Sequence, residues 1–119
     1  MKTCYRNKVL YSILLLIAFS ITSCSTANRI NLKIHTEPEG SHIVYQLDQS
    51  KWIYLGVTPL DTIEILDDSQ LKGEHSFTLK AMRYGYLDQT KKWSGEELLL
   101  ENGGQGMIFW TPRLIKNVE

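Results

Sequence analysis

Side chains able to do acid–base or metal chemistry are spread thinly along this sequence. His35 and His42 flank a Pro-Glu-Gly turn. A hairpin there would bring the two imidazoles together, with Glu37 or Glu39 as a further ligand, as in a loose zinc or copper site. The tight ligand spacings H-x-H and HExxH are missing from the sequence. We therefore predict no metal and no cofactor, and we interpret both histidines as strand residues on solvated faces.

The sequence also lacks a recognisable catalytic constellation. Asp67-Asp68 lies in a predicted loop and Glu96-Glu97 at a predicted helix start, so both acidic pairs are expected to be solvated. There is no G-x-S-x-G elbow. The stretch ENGGQG lacks the Lys-Ser/Thr of a phosphate loop and the spacing of a dinucleotide loop. We predict no catalytic residues and no enzyme activity, and a small secreted enzyme is only the third alternative.

The thiol of Cys24 is the reactive group with the most informative surroundings. A lone cysteine can be a nucleophile, half of a disulfide, a metal ligand, a core residue or a lipid acceptor, so the flanking sequence must decide. Lys2, Arg6 and Lys8 precede an apolar stretch from Val9 to Ile21. At roughly 13 residues this stretch has the length of a signal h-region and is short of the ~20 residues that span a bilayer. The pattern predicts a targeting segment.

Ile21, Thr22 and Ser23 lead directly into Cys24, and this order resembles the lipobox of bacterial lipoproteins. The resemblance implies that a diacylglyceryl group is attached to the Cys24 thiol and that the chain is cleaved before it. Two lipid chains suffice for stable anchoring. We expect an exported protein, lipid-anchored to a bacterial membrane, at the outer membrane or periplasmic face if the cell has two membranes. The alternative is an uncleaved N-terminal helix with an incidental cysteine.

Loss of the signal would change the charge and cysteine content of the chain. Removing Lys2, Arg6 and Lys8 lowers the basic residues from 13 to 10, against 13 acidic ones, for a mature net charge near −3. Nucleic-acid binding normally requires a clustered Lys/Arg face, so we predict no nucleic-acid partner. Cys4 would leave with the signal, and Cys24 alone cannot form an internal disulfide. Stability must then come from an apolar core.

Alternation of apolar and polar residues predicts short β-strands along the mature chain. The clearest segments are Ile30 to Ile34, His42 to Leu47, Trp52 to Val57, Ile63 to Ile65 and His75 to Met82, with a closing strand through Trp110. Turn signals every ~8 to 12 residues favour an all-β fold, a small antiparallel β-sandwich. One short helix is predicted, with Ser94 as N-cap and the Gly103-Gly104 pair as its stop.

Three pieces in order, LKIHTEPEGSHIVY, LGVTPL and KGEHSFTLKAMRYGY, resemble the PEGA domain, a small β-sandwich module of bacterial and archaeal envelope proteins. The matching residues are Pro38, Glu39, Gly40, Gly56, Thr58, Pro59, Leu60, Gly73, His75, Gly85 and Tyr86. The resemblance implies structural roles for them, with the His75 ring bonded to a backbone carbonyl. Ser41 replaces the usual alanine, and LDQSKW replaces a tight Asn-Gly or Asp-Gly hairpin.

These observations divide the chain into four segments. Residues 1–23 are a lipoprotein signal peptide, 24–29 a lipidated tether, 30–93 a PEGA-like β-sandwich, and 94–119 a C-terminal extension expected to pack on the same domain.

Aromatic residues are the remaining candidates for specific contacts. Trp52, Tyr54 and Trp93 could form a platform for sugars or anchor a protein partner, or they could belong to the core. Strand register decides between these, and the sequence leaves the register open. We predict a lipid-anchored cell-envelope lipoprotein acting as a non-catalytic binding or scaffolding module. The alternative is a module that binds cell-wall or surface glycans through exposed aromatics, and the partner is not identified.

Overall fold

The computed structural model describes residues 26–118, which form two β-sheets and two helices. The elements in chain order are β1 (Ala27–Ile34), β2 (His42–Leu47), β3 (Ile53–Val57), β4 (Leu60–Asp67), α1 (Asp68–Leu71), β5 (Ser76–Met82), β6 (Gln89–Ser94), α2 (Gly95–Gln105) and β7 (Ile108–Trp110). The prediction of a mainly β-strand fold is confirmed. The predicted signal peptide and Cys24 lie outside the described residues.

The three-stranded sheet has the order β4-β1-β7. Its central strand β1 buries Ile30, Leu32 and Ile34 completely, as their period-two spacing predicts. β1 pairs antiparallel with β4 but parallel with β7, so the expectation of antiparallel pairing fails for this one pair. The reason is that β6 ends at the same end of the fold where β1 begins, so that β7, which follows through α2, runs in the direction of β1.

The four-stranded sheet has the order β3-β2-β5-β6, and every pair in it is antiparallel. Ile43 and Tyr45 of β2 lie opposite Ala81 and Leu79 of β5, and all four side chains are buried. The β2–β3 register shifts between Ile43 and Val44, which leaves Leu55 unpaired as a bulge at the sheet edge.

Buried side chains of both sheets and both helices belong to one hydrophobic cluster. At its centre the Phe77 ring stacks on Tyr45, with centroids 5.4 Å apart, and meets Trp93 at 6.1 Å. The Tyr45 hydroxyl donates to Glu64 of the other sheet at 3.3 Å. Burial, followed by the nearby Glu64 carboxylate, raises the pKa of the Tyr45 phenol.

The first strand begins earlier than the sequence predicts. Ala27 is already paired with Asp67, so residues 27–29 lie in β1 and not in the tether predicted for residues 24–29. The Thr26 carbonyl also accepts a hydrogen bond from Asp68 N–H at 3.1 Å. Residues 27–29 therefore belong to the three-stranded sheet.

Helix α2 follows the predicted N-cap and passes the predicted stop. Ser94 Oγ accepts from Glu97 N–H at 3.1 Å, and the Glu97 carboxylate accepts from Ser94 N–H, which makes a capping box. Gly103 and Gly104 lie inside the helix, so the expectation that this pair ends it is wrong. The helix ends at Gly106, whose φ of 75° closes the last turn in the left-handed region.

The segment DDSQLKGE, predicted as a loop, contains the short helix α1. Asp67 N–H donates to Gln70 Oε1 at 2.8 Å at the start of this helix. Its last residue, Leu71, is fully buried in the common core. Burial of this leucine accounts for a helical turn in a segment whose composition is typical of a loop.

Hydrogen bonds between loops define two ends of the folded part. At the N-terminal end, Thr26 and α1 lie beside the turns at Asp48 and Ser94. At the opposite end, which we call the motif end, the Pro-Glu-Gly turn meets Thr58 and the C-terminal residues 111–118. There Leu114 N–H donates to Glu37 O and Asn117 N–H to Gly85 O, both at 2.9 Å.

No helix among residues 26–118 has both the length and the apolar character needed to cross a bilayer.

Candidate binding face

The two histidines beside the Pro-Glu-Gly turn are held apart by different partners. His35 Nδ1 lies 3.6 Å from Glu39 Oε1, and its ring lies beside Phe109. His42 Nδ1 instead bonds the Tyr54 hydroxyl at 2.8 Å, on the four-stranded sheet. Residues 26–118 contain no group of three or more His, Cys, Asp or Glu side chains placed to hold a metal ion.

His75 has a different partner from the one expected. Its Nδ1 lies 2.8 Å from Asp48 Oδ2, so the ring bonds a carboxylate and not a backbone carbonyl. Asp48 Oδ1 accepts from Ser76 N–H at 2.8 Å. The His75 bond, then the Ser76 bond, hold the pKa of Asp48 below its ordinary value. Asp48 has a φ of 53° and so supplies the left-handed turn residue that LDQSKW otherwise lacks.

A buried hydroxyl network at the motif end surrounds Thr58, one of the residues that match the PEGA pattern. Thr36 Oγ1 lies 2.9 Å from Ser41 Oγ and 2.7 Å from Thr58 Oγ1. Thr58 Oγ1 also accepts from the N–H groups of Gly40 and Ser41, at 3.1 and 3.0 Å. Since these hydroxyls are buried and satisfied, Ser41 fits where the pattern has alanine. The network joins the TEPEGS and GVTPL turns.

The other motif residues also shape the backbone. Pro38 and Pro59 follow cis peptide bonds. At Gly40, with a φ of 96°, an added Cβ would lie 2.7 Å from Arg83 Nη1, and this guanidinium donates to the Glu39 carbonyl. Gly56, Gly73 and Gly85 also have positive φ, and Leu60 and Tyr86 pack against the core. These contacts make the motif residues structural in character.

Trp93 does not join an exposed platform. It retains only 4 % of its exposure, faces Phe77 in the core, and donates from Nε1 to Glu101 Oε2 at 2.8 Å. Register explains this placement, because Trp93 lies directly opposite Phe77 on β5. Its prediction as a binding residue is therefore corrected.

Trp52 and Tyr54, in contrast, are exposed beside one another on the outer side of the four-stranded sheet. Tyr54 is 56 % exposed and Trp52 is 39 % exposed. The Lys80 ammonium lies 4.2 Å from the centre of the Trp52 ring, and the His42 ring bonds Tyr54 as described above. We call the surface formed by Trp52, Tyr54, His42 and Lys80 the aromatic face.

Val44 shows how the aromatic face is supported from below. It lies opposite both Tyr54 and Lys80 in the sheet, on the outer side, yet is only 9 % exposed. The neighbouring long side chains therefore shield it from water. Tyr54, His42 and Lys80 lie on strand backbone, which fixes side-chain positions better than a loop does, and Trp52 directly precedes β3.

His42 and Lys80 were missed as members of a site. Both occupy polar positions of alternating strands, His42 in β2 and Lys80 in β5. That alternation places them on the outer sheet side, but only the pairing of β2 with both β3 and β5 brings them to Tyr54 and Trp52.

The protein also has a recess between β6 and α2. It has a volume of about 500 Å³ and is lined by Lys91, Lys92, Trp93, Glu97, Leu100 and Glu101. The indole N–H of Trp93 in this recess already donates a hydrogen bond to Glu101. The aromatic face is therefore the better candidate for recognition.

Comparison of the chain with protein-family models, with curated proteins and with solved structures finds no match. The case for function therefore rests on the residues and geometry described above.

Proposed function

We propose that this protein is a lipid-anchored lipoprotein of a bacterial cell envelope whose folded part is a non-catalytic binding or scaffolding module. The observation that carries the binding role is the exposure of Trp52 and Tyr54 on the outer side of the four-stranded sheet. Large aromatic side chains held at the surface are typical anchors of recognition. The lipobox sequence ending at Cys24 supports the anchor.

As its fold we propose a PEGA-like β-sandwich that follows a cleaved signal helix. Support comes from the common core, to which Leu32 of one sheet and Phe77 of the other both belong. Further support comes from the bonding of Thr58 to the Pro-Glu-Gly turn, because two of the quoted sequence pieces then meet in one network.

The proposed anchor would hold the folded part close to the membrane. Only Ser25 and Thr26 separate Cys24 from the start of β1, and Thr26 already bonds Asp68. Two extended residues span about 7 Å. The N-terminal end would therefore face the bilayer and the motif end would point away from it.

Substitution of the lipidated cysteine tests the anchor. In a bacterial host labelled with a fatty-acid analogue, we expect the wild-type chain to take up label and to lose its signal. Cys24→Ala should abolish labelling and leave the longer precursor, because the acceptor thiol is gone. Cys4→Ala is the matched control and should label normally. Labelling that persists in Cys24→Ala would contradict the lipoprotein proposal.

A second candidate function is glycan binding, favoured by the side-by-side exposure of Trp52 and Tyr54. Flat aromatic rings provide apolar surface against which the C–H face of a sugar can pack. His42, bonded to Tyr54, adds a polar group at the edge of the rings. This candidate would be supported if the protein bound the polysaccharide fraction of the envelope and not the protein fraction.

Trp52→Ala tests whether the aromatic face binds anything. We expect the full-length variant to keep its melting temperature and to lose about 1 to 3 kcal/mol of binding to isolated envelope material, because an exposed anchor is removed. Phe109→Ala is the control, since Phe109 is 48 % exposed on the other sheet. A fall in melting temperature with unchanged binding would show that Trp52 is structural and would remove the site.

A further inference from the structure

The outer side of the four-stranded sheet carries no acidic strand residue. Register and burial assign to it the strand positions His42, Val44, Gln46, Tyr54, Val57, Ser76, Thr78, Lys80, Met82, Thr90, Lys92 and Ser94. None of these is Asp or Glu, although the chain has 13 acidic residues. The outer side of the other sheet carries Arg29 and Lys33, but there Asp61 and Asp67 offset the two positive charges. The aromatic face therefore lies in the more cationic of the two sheet surfaces.

Lys80 provides the unpaired cation at the centre of this surface. Within residues 26–118, the carboxylates that lie within 4.0 Å of a basic group pair with His35, Lys72, His75 and Arg113, and none pairs with Lys80. Its ammonium instead lies over the Trp52 ring. An anion placed against the exposed part of Trp52 would meet this charge without having to displace a carboxylate.

Lys92 is the second lysine of the outer side and is exposed, but it lies on β6, at the edge of the sheet opposite to β3 and Tyr54. It lies opposite Thr78, nearer the N-terminal end. There its charge contributes, after the His75 and Ser76 bonds, to the lowered pKa of Asp48. An anionic ligand would accordingly be centred on Lys80.

We propose that the aromatic face binds an acidic polysaccharide, with a sugar ring packed on Trp52 and Tyr54 and a sugar carboxylate paired with Lys80. This inference rests on the glycan-binding function proposed above and names its ligand class. A nucleic acid would also offer anions and flat rings, but it normally requires a broad cluster of Lys and Arg. Here one lysine without a carboxylate partner lies over the Trp52 ring, and this single charge fits a sparsely charged chain of saturated rings.

The experiment measures binding of the full-length protein, purified in a non-ionic detergent, to polygalacturonate and to its fully methyl-esterified form. The two polymers share a backbone and differ in the carboxylate charge. We expect polygalacturonate to bind at least fivefold more tightly, and the difference to shrink as salt is raised, because exposed ion pairs are screened.

Variants of two lysines then assign the effect to the aromatic face. Lys80→Gln should weaken polygalacturonate binding about three- to fivefold more than it weakens binding of the ester, as expected for loss of one exposed ion pair. Lys33→Gln is the matched control, because Lys33 is a strand lysine on the outer side of the other sheet. It should bind both polymers like the wild type.

Three results would overturn the inference. Equal binding of acid and ester, with Trp52→Ala still weakening both, would remove the charge preference and leave the glycan function standing. Equal or tighter binding of oligo-dT would replace the polysaccharide with a nucleic acid. No binding of either polymer, with capture of envelope material still lost in Trp52→Ala, would exclude the acidic glycan while leaving the binding module intact.

Discussion

At the scale of the residue, polar side chains hold turns that the backbone alone would leave loose. Asp48 uses one carboxylate oxygen for the His75 ring and the other for Ser76 N–H. Thr58 accepts two backbone N–H groups through a single hydroxyl. Charge-assisted and buried bonds of this kind are stronger than the average surface bond. Each therefore fixes the geometry of a turn whose sequence departs from the PEGA pattern.

Asp48→Asn should lower the melting temperature at neutral pH by a few degrees. The pKa of Asp48 is lowered in the folded state, so its ionised form contributes stability above the unfolded value of about 3.8. That contribution is lost as the pH falls through the folded pKa. The gap between wild type and variant in thermal unfolding should therefore close on acidification. Asp88→Asn, at an exposed position, is the control. A gap that widens at low pH would contradict the assignment.

At the scale of the element, helix α2 is held by contacts at both of its ends. Near its C-terminal end, Asn102 Nδ2 donates to Arg29 O at 2.9 Å, and Asn102 Oδ1 accepts from Asn31 N–H at 3.2 Å. The Asn102 side chain thus bonds the β1 backbone just before Leu32, where pairing with β7 begins. At its N-terminal end, Gly95 lies against α1, and a Cβ built there would be 1.6 Å from Leu71 O. Only glycine permits that approach.

Gly95→Ala should destabilise the protein by about 1 to 3 kcal/mol, because the new methyl group must push α1 away from α2. Helix propensity alone predicts the opposite sign, a gain of up to about 1 kcal/mol. Gly103→Ala is the matched control, since nothing lies within 4 Å of its Cβ position. Denaturant unfolding of both variants checks this prediction. Stabilisation by Gly95→Ala would show that the contact between the helices is not tight.

At the scale of the whole molecule, the C-terminal residues close the motif end. Leu114 is only 7 % exposed and belongs to the common core. The backbone of this segment bonds two separate turns. Leu114 N–H donates to Glu37 O, and Ile115 O accepts from Leu87 N–H at 2.8 Å. The extension predicted at 94–119 thus contributes a helix, a strand and this closing tail to the body formed by the earlier strands.

Leu114→Ala should cost about 2 kcal/mol of unfolding free energy, since a buried side chain is lost and a cavity remains. Ile115→Ala is the control next to it in sequence. Ile115 is 58 % exposed, so its truncation should change stability by less than about 0.5 kcal/mol. Equal effects of the two variants in chemical denaturation would contradict the docking of the tail.

Local patterning predicted six of the seven strands and the N-cap of α2, but it missed β6. Ile30, Leu32 and Ile34 alternate with polar residues, and burial of one strand face requires that alternation. Ser94 was predicted as an N-cap because serine favours that position and Glu96 and Glu97 follow in the first helical turn. Such signals depend only on near neighbours in the chain. The lipobox was also predicted from neighbouring residues alone, and lipidation of Cys24 stays a prediction.

Tertiary structure alone decided which side chains meet. The sequence could not show that Trp93 is buried while Trp52 and Tyr54 are exposed, because strand register sets the face of each side chain and a shift of one residue reverses it. The contact of Lys80 with the Trp52 ring likewise depends on a partner distant in the chain. The same holds for the continuation of helix α2 beyond Gly103. Contacts of that kind arise only when strands pair in a fixed register and the helices pack on the common core.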